Sequence, residues 1–333
     1  MRKRMVVDVS NIFWRSISAM NTYDKPDPSE SAALGLHGCL MTLKKYFNNI
    51  KPHEMCIVFE GRNNWRKEYT KSENSYSKRI YKANRVSDPS MAVLYEVMQS
   101  FKELAHECTT LTVLQHDYLE GDDLIAGYAQ YFAAQGDSVV ILSGDKDFVQ
   151  LLNDKKISII NPDNGKERNL LDVCGVDSAE YFLFEKCFRG DSGDNVLPAF
   201  PRVRKTRLHK AFGVHEGSVH SEKADSFELS NLLNATWEHP NPSTGEPMQM
   251  LVQEMFNENN TLMNLSAQPE HVRKLINDVI QEEIQRDKQF NFFKFNKFIG
   301  KYELKTIGEK VHDFTPMFSS KIKEEPKING LNL

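Results

Sequence analysis

Three groups of carboxylates punctuate the chain: Glu120-Gly121-Asp122-Asp123, then Ser143-Gly144-Asp145-Lys146-Asp147, then Gly190-Asp191-Ser192-Gly193-Asp194-Asn195. Two single acids precede them, Asp8 after Met5-Val6-Val7 and Glu60 after Cys56-Ile57-Val58-Phe59. Most stand at the C-terminal end of a short apolar run or just beyond it. In an open α/β sheet the strand ends line one crevice where ligands bind. Acids remote in sequence would therefore meet in space. Like charges in a cleft repel, and burial raises their pKa values. Hard divalent cations with oxygen ligands relieve both effects, and Mg²⁺ is held by carboxylates and substrate phosphates. The chemistry expected is metal-assisted phosphodiester hydrolysis. Two Mg²⁺ ions about 3.5–4 Å apart would activate a water and stabilise the leaving oxygen, with Mn²⁺ a possible substitute. Taken singly, each acidic group reads as a helix start, where acids cap the helix and favour its dipole. Capping alone does not require acids at so many strand ends.

Positioning such acids needs a sheet, and the apolar runs supply one. Met5 to Asp8, Met55 to Phe59, Thr110 to Leu114, Ser138 to Leu142 and Ile157 to Ile160 read as short strands buried on both faces. Helices are expected over 29–49, 90–107 and 120–134, with a short one from Phe148 to Leu152. Asp8-Val9-Ser10-Asn11 reads as a turn, and Asn161 to Gly165 as a turn within a hairpin. This β-α-β alternation predicts an α/β fold, a mainly parallel twisted sheet with helices on both faces. The alternation stops near residue 170, and a mostly helical C-terminal region follows. The organisation expected is 1–170, 171–314 and a flexible tail from 315 to 333. Residues 216–248, with Pro240, Pro242, Gly245 and Pro247, read as an insertion or mobile connector.

Composition is that of a soluble globular protein, 40% apolar and 26% charged over 333 residues. A net charge of −4 does not mark a nucleic-acid binder, so the distribution of charge matters more. Residues 61–88 hold eight bases against three acids, with Trp65, Tyr69, Tyr76 and Tyr81 interleaved. Aliphatic residues are almost absent there, so the stretch is not expected to build a core. A solvated loop is the bland reading. Its place directly after an acidic strand end favours a nucleic-acid arm, with bases for phosphates and rings for nucleobases. Residues 202–210 hold five bases and no acid, and read as a loop entering a helix that contacts phosphates. The five cysteines (Cys39, Cys56, Cys108, Cys174, Cys187) have neither zinc nor redox spacing, which fits a reduced cytosol. The ten histidines lack zinc spacing, and His37, His53 and His106 read as surface or core residues. The apolar run behind Met1-Arg2-Lys3-Arg4 is too short for a secretory signal, and no run is long enough to span a membrane. A cytoplasmic monomer is expected.

The order of these motifs resembles the 5′-nuclease family. That family includes flap endonucleases, the 5′-exonuclease domain of bacterial DNA polymerase I and phage 5′-exonucleases. In size and style the chain is most similar to the RNase H type of T-even-like phages. The resemblance runs from Val7-Asp8 through Phe59-Glu60-Gly61, Tyr81-Lys82-Ala83-Asn84-Arg85 and the three acidic groups to Lys205-Thr206, covering about residues 5–213. It implies a PIN-like core and a 5′-to-3′ nuclease acting at duplex–single-strand junctions, removing RNA primers and 5′ flaps. Asp8, Glu60, Glu120, Asp122, Asp123, Asp145, Asp147, Asp191 and Asp194 would form the metal site. Residues 61–88 would be a helical arch. In it Lys82 and Arg85 act at the scissile phosphate, Tyr81 stacks on a base, and Arg66, Lys67, Lys78 and Arg79 bind nucleic acid. Residues 188–213 would be a helix-three-turn-helix that grips duplex through Arg202, Arg204, Lys205, Thr206 and Arg207. Branched DNA and RNA–DNA hybrids are the implied substrates. A sliding clamp or single-strand-binding protein is the implied partner of the C-terminal part, by analogy.

The sequence departs from the family in two places. Glu60 stands where aspartate is usual, so its carboxylate reaches further. Ala199, Arg202 and Arg204 stand at or near the motif's glycines, which counts against the potassium ion bound there in some relatives. Two rivals are a PIN-type ribonuclease and a catalytically silent branched-DNA-binding protein. The 202–210 element disfavours the first, and the near-complete acid set disfavours the second.

Overall fold

The computed structural model describes residues 1–19, 28–85, 91–214, 217, 224–241 and 244–319. Its centre is β1 (Lys3–Asp8), whose Met5, Val6 and Val7 are wholly buried. Side chains alternate across a strand. Met5 and Val7 therefore enter one core and Val6 the other. Around β1 lie β2 (Glu54–Val58), β3 (Thr112–Leu114), β4 (Ser138–Leu142) and β5 (Ile157–Ile160). All pairs are parallel, in the order β3-β2-β1-β4-β5. Val6 sits in register with Cys56 on one side and Ile141 on the other. The chain winds outward from β1 through β2 to β3, then returns to add β4 and β5 on the opposite side. The switch point lies between β1 and β4, where such sheets open a crevice.

Both faces are covered. Helices α1 (Val9–Ala19), α2 (Pro28–Ile50) and α4 (Ala92–Cys108) pack on the Met5 and Val7 face through residues such as Phe13, Leu36, Leu40 and Phe101. The short α3 (Trp65–Lys71) follows β2 and buries Trp65 in the core of the Val6 face. Helix α5 (Gly121–Ala134) packs on the Val6 face through Leu124, Ile125 and Tyr128. The chain does not turn away after Asp8, because α1 begins at once at Val9. Ile12, Phe13 and Ile17 give α1 a buried stripe that outweighs the polar Ser10-Asn11 pair.

A third core forms from α7 (Ala179–Arg189), which follows the short α6 (Leu170–Cys174), and from α8 (Lys205–Phe212), α9 (Ser226–Leu233), the antiparallel hairpin β6 (Thr236–Pro240) and β7 (Pro247–Leu251), and α10 (Val252–Met263). Tyr181, Phe188, Leu208, Leu232, Met250 and Met255 fill it. The connector expected at 216–248 is thus structured at α9 and β6. Trp237 of β6 donates from Nε1 to the Ala199 carbonyl at 2.9 Å. Residues 215, 216, 218–223, 242 and 243 lie outside the described residues.

The remaining helices return to the sheet. Val272, Ile276 and Ile280 of α11 (Glu270–Gln285) join the α5 core, and Gly127 permits the close approach. A Cβ at Gly127 would lie 2.3 Å from Ile276. Helices α12 (Phe292–Lys301), α13 (Lys305–Glu309) and α14 (Thr315–Ser319) cover the opposite face, with Phe295, Phe298, Ile307, Phe314 and Phe318 buried. Both sheet cores therefore draw on chain before and after residue 170. Within the stretch expected as a tail from Thr315, residues 315–319 form α14, whose Met317 and Phe318 are anchored in the core. Residues 320–333 lie outside the described residues. No described helix is long and apolar enough to cross a membrane, and the five cysteines are free thiols.

Candidate active site

The carboxylates gather at the switch point because each follows a strand of one parallel sheet. Asp8 ends β1, and the chain turning into α1 brings the Asn11 N–H to its Oδ1 at 2.9 Å. Ser143, one residue past β4, donates its hydroxyl to Asp8 Oδ2 at 2.9 Å. Glu60 lies just beyond β2, and its Oε2 accepts the Gly121 N–H at the start of α5 at 3.0 Å. Asp122 stands in the first turn of α5 and makes no side-chain hydrogen bond among the described residues. Asp145 accepts the Asp147 N–H at 2.8 Å. Asp147 opens a single 3₁₀ turn, Asp147–Leu151.

Electrostatics bind this group together. Burial, reinforced by the charge of Asp145, pushes the Asp8 carboxyl up to about 6. Glu60 keeps accessible surface, yet protein atoms surround it closely. That burial and the charges of Glu120 and Asp8 push it up to about 7. Asp122 is raised well above the usual carboxylate range by burial and by Asp145, Glu60, Asp8 and Glu120. Asp147 is raised chiefly by burial, against the opposing pull of Lys186. Its Oδ1 is buried with no partner.

Oxygen-only donors, mutual repulsion and one orphaned buried carboxylate oxygen fit a hard divalent cation. Among the described residues no three His, Cys, Asp or Glu side chains stand as a formed metal-holding group. The fit is therefore one of charge and donor type. Asp8, Glu60, Asp122, Asp145 and Asp147 are the residues that could hold such an ion.

Cations of the chain itself flank the group. Lys82 pairs with Glu120 and lies 3.9 Å from Asp194. Lys186 of α7 pairs with Asp147 and, at 3.2 Å, with Asp191. Arg85 donates to Asp194 at 2.7 Å. Asp191 is held below the usual range, since Lys186 and the Gly193 and Asp194 N–H groups outweigh its burial. Sequence reasoning missed Lys186. The available signal was a lone lysine in the apolar run of α7, five residues before Asp191.

Three expected assignments are corrected. Asp123 does not face the crevice. It is fully buried, accepts two hydrogen bonds from Arg66 at 2.8 Å, and takes others from Trp65 Nε1 at 3.0 Å and Gln268 at 3.2 Å. Arg66 outweighs burial and holds the Asp123 carboxyl below the usual range. Arg66 is itself buried, adds Glu120 at 2.8 Å and the Leu262 carbonyl at 2.6 Å, and has no face left for nucleic acid. Tyr81 is buried too. Its hydroxyl donates towards Asp194 at 2.7 Å and Glu120 at 3.1 Å, so its ring is not free to stack on a base.

The expected arch is therefore docked as far as Arg85. Trp65, Arg66, Thr70 and Tyr81 are buried, and Glu258 of α10 accepts from Ser75, Tyr76 and Ser77 at 2.8–2.9 Å. Residues 86–88 lie outside the described residues. Lys67 and Arg79 are half-buried, while Lys78 is exposed. On the second basic segment Arg202, Arg204 and Thr206 are exposed. Lys205 reaches the Cys174 carbonyl at 3.0 Å and Arg207 pairs with Glu228. Arg202 has φ +58°, so this turn keeps a left-handed backbone without the glycine that usually supplies it.

A doubly wound sheet with carboxylates at its switch point and basic side chains beside them is the arrangement that an acid-centred nuclease requires. Comparison with known proteins narrows the class. The family described as 5'-3' exonuclease, N-terminal resolvase-like domain, matches residues 3–179, and the chain belongs to that family. It is 28% identical over 246 residues to a 5'-3' exonuclease of Buchnera aphidicola, covering 69% of this chain and 78% of that protein. It is 26% identical over 257 residues to DNA polymerase I of Bacillus subtilis, covering 70% of this chain but only 27% of the polymerase. In fold it is similar to the bacteriophage T5 flap endonuclease solved with DNA and metal ions. That likeness has a TM-score of 0.57 at 18% identity and covers 86% of this chain and all of that one. The T5 5'-exonuclease with bound zinc gives a TM-score of 0.56, also at 18% identity, over 85% of this chain and 100% of that one.

Proposed function

We propose that the chain is a Mg²⁺-dependent 5′-to-3′ nuclease that cuts 5′ flaps and removes RNA primers at duplex–single-strand junctions. The observation that carries this reading is the meeting of Asp8, Glu60, Asp122 and Asp145 at one switch point, with Lys82 and Arg85 held nearby on Glu120 and Asp194. The raised carboxyls of Asp8, Glu60 and Asp122 accord with that crowding. Divalent cations, when bound, would lower the pKa of a water and neutralise charge on the phosphate. Asp8, Glu60, Asp122 and Asp145 would hold them, with Glu120, Asp147, Asp191 and Asp194 as further donors. Lys82 and Arg85 would bind and orient the phosphodiester, each an N–H donor already beside the acids. Helix α7, the loop 190–204 and α8 would form the helix-three-turn-helix. Its exposed Arg202 and Arg204 suit phosphates on a duplex backbone. A sliding clamp or single-strand-binding protein would meet the C-terminal helices, where Phe293 is exposed.

The test is cleavage of a 5′-flap DNA and an RNA-primed duplex, with Mg²⁺ and with excess chelator. Cleavage of both only with Mg²⁺ supports the reading. Full activity in chelator, or a preference for free single-stranded RNA, would reject it.

A further inference from the structure

Two turns far apart in sequence hold one another beside the carboxylates. From Ile80 to Arg85 runs the first, and from Asp191 to Val196 the second. The Lys82 N–H donates to the Asp194 carbonyl at 2.8 Å. Asn195 Nδ2 donates to the Ile80 carbonyl at 2.8 Å, and Asn84 Nδ2 to the Ser192 carbonyl at 2.9 Å. Lys82 has φ +55° and Asn195 φ +60°, both in the left-handed region. Asparagine tolerates that region more readily than lysine does. Here the holding contacts are visible. Tyr81 and Lys82 follow the clamped Ile80 carbonyl, and the side chains of both reach Glu120.

The second turn is anchored in its own right. Asp191 and Val196 exchange both backbone hydrogen bonds, at 2.9 and 2.8 Å. Buried Asn259 of α10 donates to the Cys187 and Leu197 carbonyls, both at 2.8 Å, on either side of the turn. The same loop leads through Arg202 and Arg204 into α8. A turn fixed at this base can therefore fix whatever is clasped to it.

We propose that Asn195 and Asn84 are positioning residues for cleavage. Their amides clasp the Lys82 turn to the loop that leads into the basic segment, and so aim the Lys82 ammonium at the acids before substrate arrives. This rests on the reading of Lys82 as a phosphate-orienting group. Asn84 and Asn195 touch no reacting atom and act through Lys82. A misplacement on the ångström scale at a distance from the chemistry can cost roughly a hundredfold in rate, so loss of the Asn195 amide is expected to slow cleavage about tenfold or more.

The experiment separates backbone from amide. Asn195→Gly keeps the left-handed backbone but removes the amide. Asn195→Asp keeps the shape but cannot donate to the Ile80 carbonyl. Single-turnover cleavage of a 5′-flap DNA with Mg²⁺ should fall roughly tenfold or more in both, while flap-DNA affinity in chelator stays within about twofold. In a Lys82→Ala background, Asn195→Gly should change the rate by less than about twofold, since the two act as one unit. Asn84→Ala, at an exposed position, should show the same pattern at smaller size. Melting curves confirm that each variant is folded. Wild-type cleavage by Asn195→Gly with no loss in Asn84→Ala would overturn the proposal. An equal loss in both backgrounds would also overturn it, showing a structural contact that does not act through Lys82. If Lys82→Ala alone cut at the wild-type rate, the assignment of Lys82 would fall first, and the clasp with it.

Discussion

Arg66→Met separates a structural arginine from a nucleic-acid contact. In the structure the guanidinium is buried and makes four hydrogen bonds: to Asp123 twice, to Glu120 and to the Leu262 carbonyl. Methionine fills most of the volume but leaves Asp123 charged, buried and short of its counter-ion. Breaking a buried ion pair from one side costs about 3–5 kcal/mol, and an orphaned buried carbonyl adds about 1–3 kcal/mol. Trp65 Nε1 and Gln268 still donate to Asp123, which softens the loss. About 4 kcal/mol is therefore the expected destabilisation. At roughly 2 °C per kcal/mol for a large domain, the melting temperature should drop by about 8 °C. Urea unfolding and calorimetry measure both quantities. Adding Asp123→Leu should restore part of the stability, because the stranded charge goes with it. A loss below about 1 kcal/mol with a large fall in DNA affinity would refute the structural reading.

Three further outcomes are expected. Asp8, Glu60 and Asp122 have native pKa values raised above their unfolded ones. The native state then binds more protons than the unfolded state between about pH 4 and pH 7, and stability without divalent ions should fall as pH rises through that window. Mg²⁺ should raise the melting temperature more at neutral pH than near pH 5, and equal stabilisation at both would contradict the shared-charge picture. Asp145→Asn should lower flap cleavage by roughly 10–100-fold or more, since even partners outside the metal's own ligands cost that much. Its flap-DNA affinity in chelator should hold, and normal cleavage would remove Asp145 from the site. Phe318→Ala should destabilise the protein by about 3–5 kcal/mol through the cavity it leaves in the core of α12–α14; urea unfolding reads this, and a neutral result would mean α14 does not anchor there.

What could be read from the amino-acid order was what depends on local pattern. The five strands were legible because neighbours such as Val6 and Val7 are buried on opposite faces, which demands unbroken apolar runs. Carboxylates at the ends of those runs were legible for the same reason, since parallel strands bring like ends together. Partner choice was not. Asp122 and Asp123 are neighbours, yet one meets other acids in the crevice and the other turns inward to Arg66. Side chains one residue apart on a helix do not face the same way, and only the tertiary position of Arg66 decides which acid it takes. The basic stretch misled by composition for a related reason. A run rich in lysine, arginine and tyrosine reads as solvated, but buried charge is tolerated when every group finds a partner. Arg66, Tyr81 and Glu120 satisfy one another in that way. The arm that was not expected to build a core instead buries Trp65, Arg66, Thr70 and Tyr81. Its bases differ in consequence: Arg66 and Lys82 close on acids inside the fold, whereas Lys78 stays exposed and meets Glu73 only at 3.8 Å.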